Sequence, residues 1–379
     1  MQELLMQKAE AFLDSVFIMS HSYSTVSSYR LAISNKNKTG FRDFLQQRYS
    51  ICELEFAEQT QQEKFDIYVI LRDYVIFLDK NNYKPKTITS RLAAIKGYMR
   101  FLGLKIYAED CKHIIRVPKN IQEPEAALTK EIILRVLRNA PPRLQTVILV
   151  LSSSGMRIGE LVQLKLSDVD FTTTPTTVRL PAKITKTRSA RETFITAEAT
   201  NSLKDYLSRF LKWDEKKDNS HLDDVLIFGR DYSSNRKRKE NPRQPAHLVA
   251  EGLLMRQLKY YLEKIPDLNR TNPNGIRVIH YHALRKFFRT TVGNASGRDF
   301  AEALIGHQFY MNTYYQLNDE KKREMYLEVE PYLTISDFEA VEKNVKILST
   351  KYQNLENKVD DLMQYLRTNS IEVPDFLLR

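Results

Sequence analysis

The chain has 379 residues, 58 Lys plus Arg against 47 Asp plus Glu, and two cysteines. At about 150 residues per domain this length holds two or three domains, and 42% hydrophobic residues suffice for packed cores and exceed what a disordered chain carries. Cys52 and Cys111 cannot build a disulfide framework or a four-thiolate zinc site, no stretch approaches the ~20 apolar residues of a membrane span, and Met1–Glu10 has no basic start with an apolar signal core. A soluble, cytoplasmic protein is expected. The net charge of +11 is uneven. Residues 336–379 hold six basic and eight acidic side chains, a net of −2, so residues 1–335 carry +13. A basic body of this kind points to a polyanionic partner without identifying one.

In chain order, helices are expected from about Leu4 to Phe17, from near Ser24, and over "EKFDIYVILRDYVIFLDKN". "NNYKPKT" then marks a turn and an N-cap before "TITSRLAAIKGYMRFLGL". Ile88, Leu92, Ile95 and Met99 form the apolar stripe of that helix. Arg91, Lys96 and Arg100 lie off the stripe, with Lys84 and Lys86 just before it. These five are either a solvated basic face or candidates for DNA contact. "RVPKNIQEPEAALTK" has two prolines and no apolar period, the mark of a linker, and Thr129 opens the next helix. Further helices run through "KEIILRVLRNA" and "RLQTVILVLSSSGM", and "VRLPAKITKTRSARETFIT" reads as a hairpin around a basic turn. More helices follow Thr196. The run Arg236–Lys239 sits in a polar loop that touches phosphate or is merely solvated.

The last segment has a seven-residue period. Phe338, Val345, Tyr352, Val359 and Leu366 recur with Val341, Leu348, Leu355 and Leu362 offset by three. This is a coiled-coil seam, or else an amphipathic helix packed on its own body. The expected division is a helical domain over 1–117, a linker over 118–127, a second domain over 128–335 and a coiled-coil tail over 336–379. The expected fold class is mainly α with a small β-hairpin or sheet (α+β).

The chain has no Walker loop, Gly-rich dinucleotide turn, His-Glu-x-x-His helix or Cys-x-x-Cys pair. Three segments of the second domain concentrate polar residues instead. In "SSSGMRIGELVQLKLSDVDF", Gly155 ends a helix and Arg157 starts the next, with Glu160 one turn on. In "IHYHALRKFFRTTV", His282 and Arg285 are three apart amid Leu284, Phe287 and Phe288. In "ALIGHQFYMNTYYQL", His307 follows a glycine and Tyr310, Tyr314 and Tyr315 follow it. Any one of these alone reads as a surface ion pair or a satisfied structural histidine.

Together and in order, Gly-x-Arg-x-x-Glu-Leu, a basic hairpin, His-x-x-Arg, Gly-His and Tyr resemble the tyrosine recombinase, or phage-type integrase, family, in an archaeal-like, Xer-related form. The resemblance covers roughly residues 20–335. It implies a helical core-binding domain, a catalytic domain, and cleavage and rejoining of double-stranded DNA through a 3′-phosphotyrosyl intermediate with no cofactor or metal. It implies catalytic roles for Arg157, Lys186, His282, Arg285, His307 and Tyr315, with Glu160 in support. Lys183 is the alternative hairpin lysine. Tyr314 is the alternative nucleophile and Tyr310 a distant third, because the family's common nine-residue spacing after the last histidine falls on Gln316. A homo-oligomer is implied, a tetramer on DNA, acting at the nucleoid. Two other readings use the same residues: a type IB topoisomerase-like enzyme that nicks and reseals, and a non-catalytic DNA-binding descendant.

These residue types suit phosphoryl transfer to a phenol. Arginine forks two hydrogen bonds onto non-bridging oxygens, which lysine does less well. A donor from His307 would add to this stabilisation of developing charge. Tyrosine, with an ordinary pKa of about 10, needs help to lose its proton, and His282 is placed for that. Lys186 would protonate the leaving 5′-oxygen.

Overall fold

The computed structural model describes residues 2–119, 127–229, 245–272, 277–306, 318–336, 351–359 and 363. The chain divides into two compact units, Met1–Glu123 and Pro124–Arg379.

The first unit is all helix. It comprises α1 (Gln2–Ser20), α2 (Tyr23–Ile33), α3 (Phe41–Tyr49), α4 (Glu53–Gln61), α5 (Ile67–Lys80), α6 (Pro85–Phe101) and α7 (Ala108–Ile114). Ser22 caps α2 through Thr25 N–H at 3.2 Å, and Asp66 caps α5 through Tyr68 and Val69 N–H. The stripe Ile88, Leu92, Ile95 and Met99 is buried against Phe41, Phe44, Phe56 and Tyr74. Two corrections to the sequence reading arise here. Helix α6 begins at Pro85 with Lys84 at its N-cap, because proline at the first helical position gives up only an N–H that would be unpaired there anyway. Helices α3, α4 and α7 are too short, at two to three turns, for their period to stand out in the sequence.

The second unit is mostly helical around a small sheet. It runs α8 (Lys130–Asn139), α9 (Pro142–Ser154), α10 (Ile158–Leu161), β1 (Val169–Asp170), β2 (Thr176–Leu180), β3 (Arg191–Ile195), α11 (Ala197–Leu211), α12 (Ala246–Glu263), α13 (Tyr281–Ser296), α14 (Arg298–Ile305) and α15 (Asp319–Leu333). Thr129 caps α8 through Ile132 N–H. The strands pair antiparallel in the order β1-β2-β3, with Val178 opposite Thr193 and Leu180 opposite Arg191. The expected hairpin therefore gains a third strand, whose two residues are too few to show alternation.

Helix α9 is the hub. Nearly every residue from Leu144 to Ser154 is buried, as in a helix covered on all sides. It packs on α11, α13, α15 and β3. Gly155 ends it with φ +65°, and a Cβ there would lie 2.2 Å from Phe288 Cδ1, so both backbone and space demand glycine. The last carbonyls of a helix lack intrahelical donors. Here Tyr326 Oη of α15 donates to Ser153 O at 2.7 Å, and Thr193 Oγ1 of β3 to Ser154 O at 2.8 Å. Arg285 Nη1 of α13 donates to Gly155 O at 2.6 Å. Three elements thus converge on one helix end, and that convergence locates the site. Among the described residues no helix is long and apolar enough to cross a membrane.

Candidate active site

Beyond Gly155 and the buried Met156, the chain turns into α10 with Arg157 at its N-cap, in extended backbone geometry. Glu160, one turn on, receives Arg157 N–H on Oε2 at 2.7 Å and Arg157 Nη1 on Oε1 at 3.0 Å. The Glu160 side chain is 2% exposed and that of Arg157 is 25% exposed. Burial alone would raise the Glu160 carboxyl. Hydrogen bonds and positive charge, from Arg191 first and then Arg157, outweigh it and hold the carboxyl below its ordinary range.

Arg285 enters from α13, whose Leu284, Phe287 and Phe288 are buried on the hub. The arginine itself is 3% exposed. Its Nη1 donates to Gly155 O and its Nη2 to Ile305 O at 2.7 Å, so it joins the ends of α9 and α14. Burial pushes its pKa down to about 10, helped by the neighbouring charges of Arg157 and Arg191. The sequence suggests a fork aimed wholly at phosphate; one N–H of each terminal nitrogen is instead committed to backbone.

Arg191, at the first position of β3, is absent from the residues singled out by sequence. Its Nη2 donates to Glu160 Oε2 at 2.7 Å and its Nη1 to Oε1 at 3.2 Å, while Nε donates to Leu304 O at 3.1 Å. A signal exists in hindsight. Arg191 opens a strand whose Thr193, Phe194 and Ile195 are all buried. A charge at the mouth of so buried a strand needs a partner.

The turn between β2 and β3 carries Lys183 and Lys186, both exposed. The Thr185 hydroxyl organises it, approaching Ala182 O at 3.1 Å and Ser189 O at 2.9 Å and accepting Ser189 N–H at 3.1 Å. Lys183 lies close enough to Asp224 to help hold that carboxyl low, a shift caused first by the hydrogen bond from Lys165. His282 lies on the exposed side of α13, its ring 6.3 Å from that of His280. Partial desolvation, then the positive charges of Lys286, His280, Arg285 and Arg157, push its pKa below the ordinary histidine value. His307, Tyr310, Tyr314 and Tyr315 lie outside the described residues, as does Arg236–Lys239. The structure thus gathers Arg157, Glu160 and Arg191 on one hydrogen-bonded network, with Arg285 beside it on the backbone at the ends of α9 and α14.

The five basic candidates around α6 belong to the helical unit. Lys84 and Lys86 are exposed, and Lys96 is half-buried. Arg91 donates to Thr39 O at 3.0 Å with its guanidinium 4.1 Å over the Tyr83 ring. Arg100 donates to Ile106 O at 2.9 Å. Those two arginines therefore serve the fold of their own unit as well as its surface.

Residues 126–321 match the model of the phage integrase family. The chain belongs to the phage integrase family. The matched span contains Arg157, Lys186, His282, Arg285, His307 and Tyr315, and the family is the one expected from the motifs. A tyrosine recombinase XerC of Staphylococcus aureus is 24% identical over 337 residues, 85% of this chain and 96% of that protein. A tyrosine recombinase XerA of Thermococcus kodakarensis is 35% identical over 101 residues, 26% of this chain and only 34% of that relative. Among solved structures, a lambda integrase tetramer bound to a Holliday junction shares the fold. Its TM-score is 0.51 at 14% identity, over 83% of this chain and 80% of that one.

Proposed function

We propose that this chain is a tyrosine-type site-specific recombinase that cleaves and rejoins double-stranded DNA. The observation that carries the reading is that Arg157, held by Glu160, and buried Arg285, held by Gly155 O, meet at the end of α9 inside a phage integrase domain. Two guanidiniums, one held by the Glu160 carboxylate and one by backbone carbonyls, with donors to spare, form a cationic seat for a phosphodiester. They stabilise the extra negative charge that develops at its non-bridging oxygens. In this reading the Tyr315 phenolate oxygen attacks the scissile phosphorus. The bond from phosphorus to the 5′-oxygen breaks, and Lys186 gives that oxygen a proton. His282 and His307 handle the phenol proton and add a donor to the phosphate. A free 5′-hydroxyl reverses the step, so bond energy is conserved and no ATP is consumed. Lys186 is preferred to Lys183 because it is exposed in the Thr185–Arg188 turn of the hairpin, where the family resemblance puts the active lysine.

The protein acts on DNA as a homo-oligomer, a tetramer, within the cytoplasmic nucleoid. The tail associates protomers. Its helical residues 351–359 leave the seam residues Tyr352, Leu355 and Val359 exposed, as a partner-seeking coil would.

The deciding experiment uses a nicked duplex from which the cleaved strand escapes, trapping the covalent adduct, followed by mapping of the modified residue. Tyr315→Phe is expected to bind DNA and form no adduct. If Tyr314→Phe is the dead variant, the nucleophile is Tyr314. Wild-type protein that binds DNA without forming an adduct would reject the recombinase reading.

A further inference from the structure

We propose that Arg191 is a positioning residue for the phosphate-binding arginines: from the start of β3 it holds Glu160, and through it Arg157, while fixing the end of α14. The inference rests on the recombinase reading above and assigns it a residue that neither the motifs nor the family match singles out.

All three nitrogens of the Arg191 guanidinium are committed. Two grip both oxygens of Glu160 in a fork, and Nε takes the carbonyl of Leu304. The side chain is 7% exposed. Space has been cleared for it as well. Gly306 has φ +69°, and a Cβ there would lie 2.5 Å from Arg191 Cδ. The neighbouring carbonyl, Ile305 O, is held by Arg285. Two arginines therefore grip successive carbonyls at the end of α14, and of the two it is Arg191 that also holds Glu160.

Stability alone explains this poorly. A buried ion pair is often replaced by apolar residues at no loss, because desolvation offsets attraction. Charge arithmetic explains it better. With Arg157 as sole partner, Glu160 would draw that guanidinium fully onto itself and neutralise it. With Arg191 supplying the second positive charge, Glu160 is satisfied, and Arg157 holds it through the backbone N–H and one Nη1 contact. Among the described residues, no other protein hydrogen bond occupies the Arg157 guanidinium. Arg191 thus keeps Arg157 oriented by Glu160 without being spent on it.

The test is single-turnover adduct formation by full-length Arg191→Met and Arg191→Lys on the nicked trapping duplex. The scissile position carries phosphate or either of the two phosphorothioate diastereomers. A fixed Arg157 discriminates between the two non-bridging positions, so the wild-type rate ratio for the diastereomers departs from one. R191M is expected to cut about 100-fold more slowly on phosphate, the scale of a small misplacement of catalytic groups. Its diastereomer ratio is expected to move toward one, with DNA affinity unchanged. R191K, which keeps charge but loses the fork, is expected to fall between, and it decides the matter if R191M does not fold. An unchanged rate, an unchanged ratio with rates falling in step with thermal stability, or a wild-type ratio of one would each overturn the proposal. Failure of the recombinase reading is distinct: wild-type protein would then form no adduct even on phosphate.

Discussion

Glu160 accepts four hydrogen bonds on two oxygens, from Arg157 and Arg191, in a setting closed to solvent. Its carboxyl is depressed, so its stabilising contribution is complete above the ordinary carboxyl pKa of about 4.3 and drains away as pH falls through its own lower value. Glu160→Gln should lower stability by about 3 kcal/mol at neutral pH, the scale of a broken buried pair. It should also flatten the acid limb of a plot of melting temperature against pH. An acid limb as steep as that of the wild type would assign the proton uptake to another group. Arg285→Lys tests a different balance. One ammonium cannot span Gly155 O and Ile305 O as the guanidinium does, so a buried carbonyl is left unpaired at a cost of about 2 kcal/mol. Cleavage should fall about 100-fold as well, as when one donor to a developing oxyanion is removed. Adduct formation and denaturant melts on the same preparation separate the two effects. Near-wild-type values in both would place Arg285 outside the site.

Among the elements, the β2–β3 turn carries Lys186, the proposed acid for the leaving oxygen. One hydroxyl, Thr185 Oγ1, ties Ala182 and Ser189 together beside Lys186. Thr185→Val keeps the volume and removes those bonds, at about 1 kcal/mol. Strand pairing from Thr176–Ile195 to Leu180–Arg191 should persist, since its register does not depend on the turn. The expected result is slower adduct formation and faster amide exchange at residues 186–189, with β3 still protected. Loss of protection along β3 would mean that the turn sets the register. Helix α15 is a well-secured element. Tyr326 and Val329 are buried on the hub, and the Tyr326 ring packs tilted against Phe194 with centroids 5.3 Å apart. Beyond its end, Glu198 takes the N–H groups of Ile335 and Ser336 at 2.7 and 2.9 Å.

For the whole molecule, that last contact says where the tail can be removed. A chain ending after Ser336 keeps the Glu198 anchor and loses the segment proposed above to form a coiled coil. It should bind and nick a single DNA site as the full chain does, but form multimers and synapsed pairs of sites less well. Light scattering and adduct trapping check both. An unchanged solution mass would remove the associating role from the tail. Loss of nicking at unchanged mass would mean that the tail packs on its own catalytic unit.

Local chemistry explains what was legible without a structure. Ile88, Leu92, Ile95 and Met99 declare α6 because a 3.6-residue period survives in one dimension. Thr129 declares the start of α8 because an N-cap is made by neighbours three residues apart. Gly155, Arg157 and Glu160 lie within six residues, so their turn and ion pair could be read directly. The order of arginine, hairpin, histidine and tyrosine segments was enough to name the family. What only the tertiary structure decided are contacts between residues far apart in the chain. Arg191 meets Leu304 across 113 positions, and Arg285 meets Gly155 across 130. Nothing local marks those pairs, because each hydrogen bond exists only after α9, β3, α13 and α14 have packed their apolar faces. The committed donors of Arg285, the saturation of Glu160 and the role of Arg191 all follow from that packing, which brings the unpaired ends of two helices to the same few guanidinium groups.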